Sequence, residues 1–87
     1  MHDRALMADL MRHILEAAAE ENARSVTGVS VRLGALSHMT PDHFREHFEE
    51  SAAGTIAAGA VVTASMSADI HDPHAEGVWL EGIEVES

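Results

Sequence analysis

Apolar residues recur at intervals of three and four near the start of the chain. This spacing predicts a first helix from about Ala5 to Ala23, with Asp3 placed to cap its amino end. The apolar stripe of this helix consists of Leu6, Met7, Leu10, Met11, Ile14, Ala17 and Ala18. Since methionine adapts to irregular gaps in a core, the two methionines are interpreted as core residues and not as soft-metal ligands.

Strict alternation follows and predicts a strand from about Ser25 to Leu33. Its apolar face carries Val29, Val31 and Leu33, while Ser30 and Arg32 point the other way. A second helix is expected from about Pro41 to Ala53. Thr40 can cap it, and proline suits a first helical position because its missing N–H costs nothing there. Its stripe is formed by Phe44, Phe48 and Ala52, and Met39 and Phe44 could form a hydrophobic staple.

Two further strands are predicted, from about Ala60 to Ser67 and from about Val78 to Glu86. The apolar parity of the last strand changes at Gly82, as a β-bulge requires. The connection from His71 to Gly77 is rich in turn-forming residues and is interpreted as a hairpin loop, so these two strands are expected to pair.

The predicted order is helix, strand, helix, strand, strand. We therefore expect an α+β fold with a three-stranded mixed sheet and two helices packed on one face. The length of 87 residues, without repeats or a linker, predicts a single domain over residues 1–87.

Composition narrows the classes of function. A formal charge of −10, from 15 acids against five arginines, argues against nucleic acid and anionic membranes as partners. No segment approaches the roughly 20 apolar residues that span a bilayer, and the start lacks the pattern of a signal peptide, so a cytoplasmic protein is expected. The lack of cysteine excludes disulfides, thiolate zinc sites and cysteine nucleophiles. No nucleophile–base set, phosphate loop or acid pair indicates an enzyme.

Seven histidines are the unusual feature, because histidine is the commonest metal ligand. His43 and His47 have a spacing that can chelate a divalent ion on a helix, but both can equally face water beside the phenylalanine stripe. His71 and His74 lie in the expected hairpin loop, which offers too few ligands for a closed zinc site.

The dipeptide Met1-His2 could bind nickel by itself. Nickel(II) with strong nitrogen donors favours a square plane. The α-amine, the deprotonated amide of His2 and the His2 imidazole can all reach one ion. Because backbone amides ionise only with help from the metal, such a site should bind more tightly as pH rises. The alternative is that His2 merely follows the start codon and frays.

Four stretches carry a resemblance to a known family. They are Met1-His2-Asp3, the run V-S-V-R-L-G-A-L-S from Val29 to Ser37, the stretch from Phe44 to Ala60 containing Gly54-Thr55 and Gly59-Ala60, and the closing L-E-G-I-E-V-E from Leu80 to Glu86. In this order they resemble the HypA family, which starts Met-His-Glu and has V-x-V-x-I/L-G-E-L-S in its first strand.

The resemblance implies a nickel-binding metallochaperone that acts in the maturation of a nickel enzyme such as nickel–iron hydrogenase. It implies Ni²⁺ as cargo, held by Met1, His2 and Asp3, with the Asp3 amide completing the plane and His38 as an axial or transient ligand. It also implies a HypB-type GTPase and the hydrogenase large subunit as partners.

The chain departs from this family in two ways. Asp3 and Ala35 stand where the family usually has glutamate. The family also inserts a zinc subdomain with two C-x-x-C pairs between its second and third strands, which is absent here, so no zinc is expected. The alternative is a metal-free HypA-like paralogue that acts as an interaction module. Exposed strand edges allow a monomer or a homodimer.

Overall fold

The computed structural model describes residues 2–73 and 75–87, with side chains from residue 5 onward within those ranges. Its elements follow the order helix, strand, helix, strand, strand, which confirms the predicted α+β class. They are α1 (His2–Glu20), β1 (Ser25–Leu33), α2 (Pro41–Ala52), β2 (Val61–Met66) and β3 (Val78–Glu86).

The bounds of α1 differ from the prediction at both ends. The helix begins at His2, so Asp3 lies inside its first turn, and the prediction that Asp3 precedes the helix as its cap was wrong. It ends at Glu20 because Asn22 adopts a left-handed conformation with φ of 54°, a common way to end a helix. The predicted apolar stripe is confirmed, since its members are buried or partly buried.

The start of α2 is confirmed in detail. The Thr40 hydroxyl accepts a hydrogen bond from the backbone N–H of His43 at 3.1 Å, and Pro41 occupies the first turn. Phe44, Phe48 and Ala52 are buried, as is Met39 immediately before the cap. The cap therefore fixes the direction in which α2 leaves the preceding turn.

Replacing Thr40 with alanine is expected to lower the free energy of unfolding by about 1 kcal/mol, because the N–H of His43 loses its acceptor. Thr40→Ser retains the hydroxyl and should keep most of the stability. Urea denaturation of the three proteins measures the difference. Equal midpoints for Thr40→Ala and the parent chain would show that the cap contributes nothing.

The sheet has the order β2-β1-β3, so β1 is the central strand. β2 pairs with β1 in parallel and β3 pairs with it antiparallel. The prediction that the last two strands pair with each other was therefore wrong. The crossover through α2 brings β2 back parallel to β1 on one side, and β3 fills the other side.

The segment between β2 and β3, residues 67–77, is accordingly not a hairpin loop. It crosses the carboxyl end of β1 and is hydrogen bonded to it on the way. The N–H of Ser67 donates to Leu33 at 2.9 Å, and the N–H of Leu36 donates to the carbonyl of Ala75 at 2.7 Å. Ala75 is buried, so this connection is packed onto the fold.

The register of β1 and β3 confirms the predicted bulge. Ser30 lies opposite Gly82 and Val31 opposite Leu80, which leaves Glu81 as the extra residue. The bulge keeps both apolar pairs of β3 on the same face of the sheet. These residues are Val78, Leu80, Ile83 and Val85.

That face packs against both helices in one buried cluster. This cluster contains the apolar side of α1, the phenylalanines of α2 and the inward face of β1. Among its most buried members are Ile14, Val31, Leu33, Phe44 and Phe48. The opposite face of the sheet is polar, and on it the Arg32 guanidinium donates to Glu81 at 3.1 Å.

Candidate metal centre

The two helices lie side by side and run in the same direction. Leu6 and Leu10, early in α1, line one small cavity together with Met39 and Phe44 at the start of α2. Farther along, Leu15 and Ala19 of α1 share a groove with Ser51 near the end of α2. The amino ends of α1 and α2 are therefore at the same end of the fold.

The strands bring further segments to this end. β1 and β2 are parallel and finish there, and β3 begins there, with Val78 lining the same cavity as Leu6 and Met39. The turn after β1 and residues 67–77 therefore lie at this end as well. We call this end of the molecule the amino-helix end. His2, His38, His43 and His71 belong to segments that meet there.

Of the predicted nickel residues, Met1 lies outside the described residues, and so do the side chains of His2 and Asp3. The backbone of His2 and Asp3 is described, and it forms the first turn of α1. The first N–H groups of a helix have no acceptor within it. The amides of His2 and Asp3 are therefore not used by the hydrogen-bond ladder of α1.

His38 lies in the turn between β1 and α2 and is exposed. Its backbone is left-handed, with φ of 60°, a conformation in which histidine is enriched among non-glycine residues. The next residue, Met39, is buried against the first turns of α1. His38 is thus attached to a fixed point close to the start of α1, while its own side chain is open to solvent.

His43 and His47 lie together on α2. Their ring centroids are 4.5 Å apart and the planes are tilted by 32°. His43 is exposed and His47 is half-buried. The sequence spacing indicated this pair but left its chemistry open.

The other histidines are less favourably placed to share a metal ion. His71 is exposed, and its N–H donates to the Asp69 carboxylate at 2.9 Å. His74 lies outside the described residues. His13 is exposed on α1, and its Nδ1 lies 3.8 Å from Asp9. A hydrogen bond from Arg12 to Asp9 lowers the pKa of that carboxyl, so Asp9 already has a cation partner.

Among the described side chains, those of residues 5–73 and 75–87, no group of three or more His, Asp or Glu is arranged to hold a metal ion.

Comparison with known families locates the resemblance along the chain. The model of the family described as "Hydrogenase/urease nickel incorporation, metallochaperone, hypA" matches residues 1–71. The chain belongs to the HypA family. The match runs from the first residue through β2 and stops in the connection that crosses the end of β1.

Individual HypA proteins are similar to the chain over much of its length. Each of the following is named "Hydrogenase maturation factor HypA". The protein from Archaeoglobus fulgidus is 37% identical over 71 residues, which is 80% of this chain and 64% of the relative. That from Picosynechococcus sp. is 35% identical over 57 residues, covering 66% and 50%. That from Thermococcus gammatolerans is 39% identical over 62 residues, covering 71% and 45%.

The matched region thus spans between 45% and 64% of these HypA relatives. In the described part of the chain, neither helix has the length and apolar character needed to cross a membrane.

Proposed function

We propose that this HypA-family chain carries nickel for the maturation of a nickel enzyme such as nickel–iron hydrogenase. The ion would be held at the start of α1 by the Met1 amine, the His2 amide and the His2 imidazole. The amide of Asp3 would be a further donor, and His38 an axial or transient ligand. The observation that carries this proposal is the start of α1 at His2, within the region matched by the family.

Two physical features support the terminus as the carrier site. The amides of His2 and Asp3 are outside the hydrogen-bond ladder, so ionising them for nickel breaks no helical bond. The acidic chain also attracts divalent cations toward it. A site at a chain end exchanges its ion readily, which suits delivery to a partner. A HypB-type GTPase and a hydrogenase large subunit in the cytoplasm are the partners we propose.

A nickel titration by calorimetry at pH 7.5 tests the site. Loss of a residue that is hydrogen bonded to a metal ligand typically weakens metal binding about 10- to 100-fold, so removing the ligand itself in His2→Ala should weaken nickel binding by at least about 100-fold. His13→Ala is the matched control, because it removes an exposed histidine of the same helix. Square-planar nickel is diamagnetic, so a yellow absorption band and sharp NMR lines should accompany binding to the parent chain and to His13→Ala.

Unchanged affinity in His2→Ala would refute the terminal site. Absence of nickel binding by the parent chain would instead favour the metal-free interaction module.

A further inference from the structure

We propose that His43 and His47 form a second metal site on α2, which takes a borderline divalent ion such as Zn²⁺ or Ni²⁺ independently of the chain terminus. This site goes beyond the terminal nickel site, because it needs neither the α-amine nor an ionised amide. Its ligands would be the two imidazoles, with water completing the coordination shell.

The distance between the rings carries the inference. Two imidazoles bound to one ion at about 2.1 Å have their centroids about 4.6 Å apart at an angle of about 90°, and about 5.3 Å apart at the tetrahedral angle of about 109°. The centroids of His43 and His47 are 4.5 Å apart without any ion. Binding of a tetrahedral ion therefore requires the two side chains to rotate, so that their nitrogens converge and their centroids separate by about 1 Å. Residues four apart lie on the same face of a helix, so both imidazoles can reach one ion from α2. The ordering cost of bringing two flexible ligands together is correspondingly small.

The local sequence has a spacing that is used for zinc elsewhere. Residues 43–47 read H-F-R-E-H, and the pattern H-x-x-E-H occurs in one class of zinc metalloproteases. A protease would need a third protein ligand and a cleft. Within the described residues there is no third side chain arranged for this, so the pattern supports binding and exchange of an ion rather than catalysis.

The charge of α2 also favours a cation. The helix contains four acids and one arginine, so its net charge with neutral histidines is −3. The arginine, Arg45, donates to Asp42 at 2.9 Å, which neutralises part of its repulsion of a metal. Glu46 and Glu50 are exposed and contribute negative potential around the pair.

Zinc is the probe that separates this site from the terminus, because Zn²⁺ prefers a tetrahedron and is poor at ionising amides. Titration with Zn²⁺ at pH 7.5, followed by NMR of the imidazole protons, should shift the signals of His43 and His47 together, with one ion bound per pair. His43→Ala or His47→Ala should weaken binding by at least about tenfold. His2→Ala and His13→Ala should change it less than about twofold, since neither removes a ligand of the pair.

A swap of Arg45 and His47 is the sharpest control. The double variant Arg45→His/His47→Arg has the same composition, but places its two histidines two positions apart, where they do not face each other. It loses only an exposed ion pair, which contributes little to folding. The variant should fold normally and bind zinc as weakly as His47→Ala.

The alanine variants should also remain folded. Alanine favours the helix, and the Thr40 hydroxyl is bonded to the backbone N–H of His43, which His43→Ala retains. Zinc binding that survives both His47→Ala and the swap would overturn the proposal. So would shifts centred on His71, or the absence of any zinc-induced shift at His43 and His47. None of these outcomes bears on nickel at the terminus, so the two proposals can fail separately.

Discussion

Replacing Phe48 with alanine is expected to remove a large share of the free energy of unfolding. The side chain is 1% exposed and lies in the middle of α2, with its ring centroid 6.2 Å from that of Phe44. Truncating a buried phenylalanine costs about 3–5 kcal/mol. For 87 residues, a total stability of about 4–13 kcal/mol is typical, so this single loss can consume most of it.

Thermal and urea denaturation by circular dichroism measure this effect. Ile70→Ala is the control, because Ile70 is 56% exposed in the connection between β2 and β3 and its truncation should change stability by less than about 0.5 kcal/mol. A Phe48→Ala variant that is as stable as Ile70→Ala would mean that α2 does not depend on its contact with the sheet.

Local sequence signals predicted most of this fold. Thr40 and Pro41 located the start of α2, and the parity change at Gly82 located the bulge in β3. These features depend on residues that are neighbours along the chain, where turn, cap and pleat chemistry act directly. The same reasoning failed at Asp3, because an acidic residue also stabilises the first turn from inside a helix.

Strand pairing was beyond local reasoning. The strands that contain Val62 and Val85 follow each other along the chain and could have paired as a hairpin. Each pairs with β1 instead. The eleven residues between β2 and β3 were a signal that could have been used, since hairpin loops are usually two to five residues long. The central place of β1 follows from the crossover through α2, which is a property of the whole chain.

The candidate site likewise has some features that the sequence shows and others that only the fold shows. The chemistry of Met1-His2 and the spacing of His43 and His47 are visible in the sequence. The meeting of α1, the turn at His38 and the start of α2 at one end is not, because it depends on the parallel packing of two helices. The candidate ligands are therefore predicted from the sequence alone, whereas only the fold shows that the segments carrying them meet at one end.

A four-residue Gly-Ser-Gly-Ser extension before Met1 is expected to weaken nickel binding at the terminus by at least about 100-fold. The extension turns the Met1 amine into an amide, which leaves the His2 imidazole as the only proposed nitrogen donor that needs no metal-assisted ionisation. A single added residue is unsuitable, because His2 would then be third from the new amine and could build a different square-planar chelate. The same four residues placed after Ser87 provide the control.

The pH dependence of nickel binding gives an independent and quantitative expectation. The α-amine must lose its proton, and each coordinated amide must lose one, so binding near pH 7 should release about two to three protons. Affinity should then rise about 100- to 1,000-fold per pH unit, and proton release measured in buffers of different ionisation enthalpy should agree. A value near two assigns the amide of His2 alone, whereas a value near three adds that of Asp3. Release of less than one proton would contradict coordination by any backbone amide. The extended chain should lose this steep dependence on pH, because it no longer offers an α-amine beside His2.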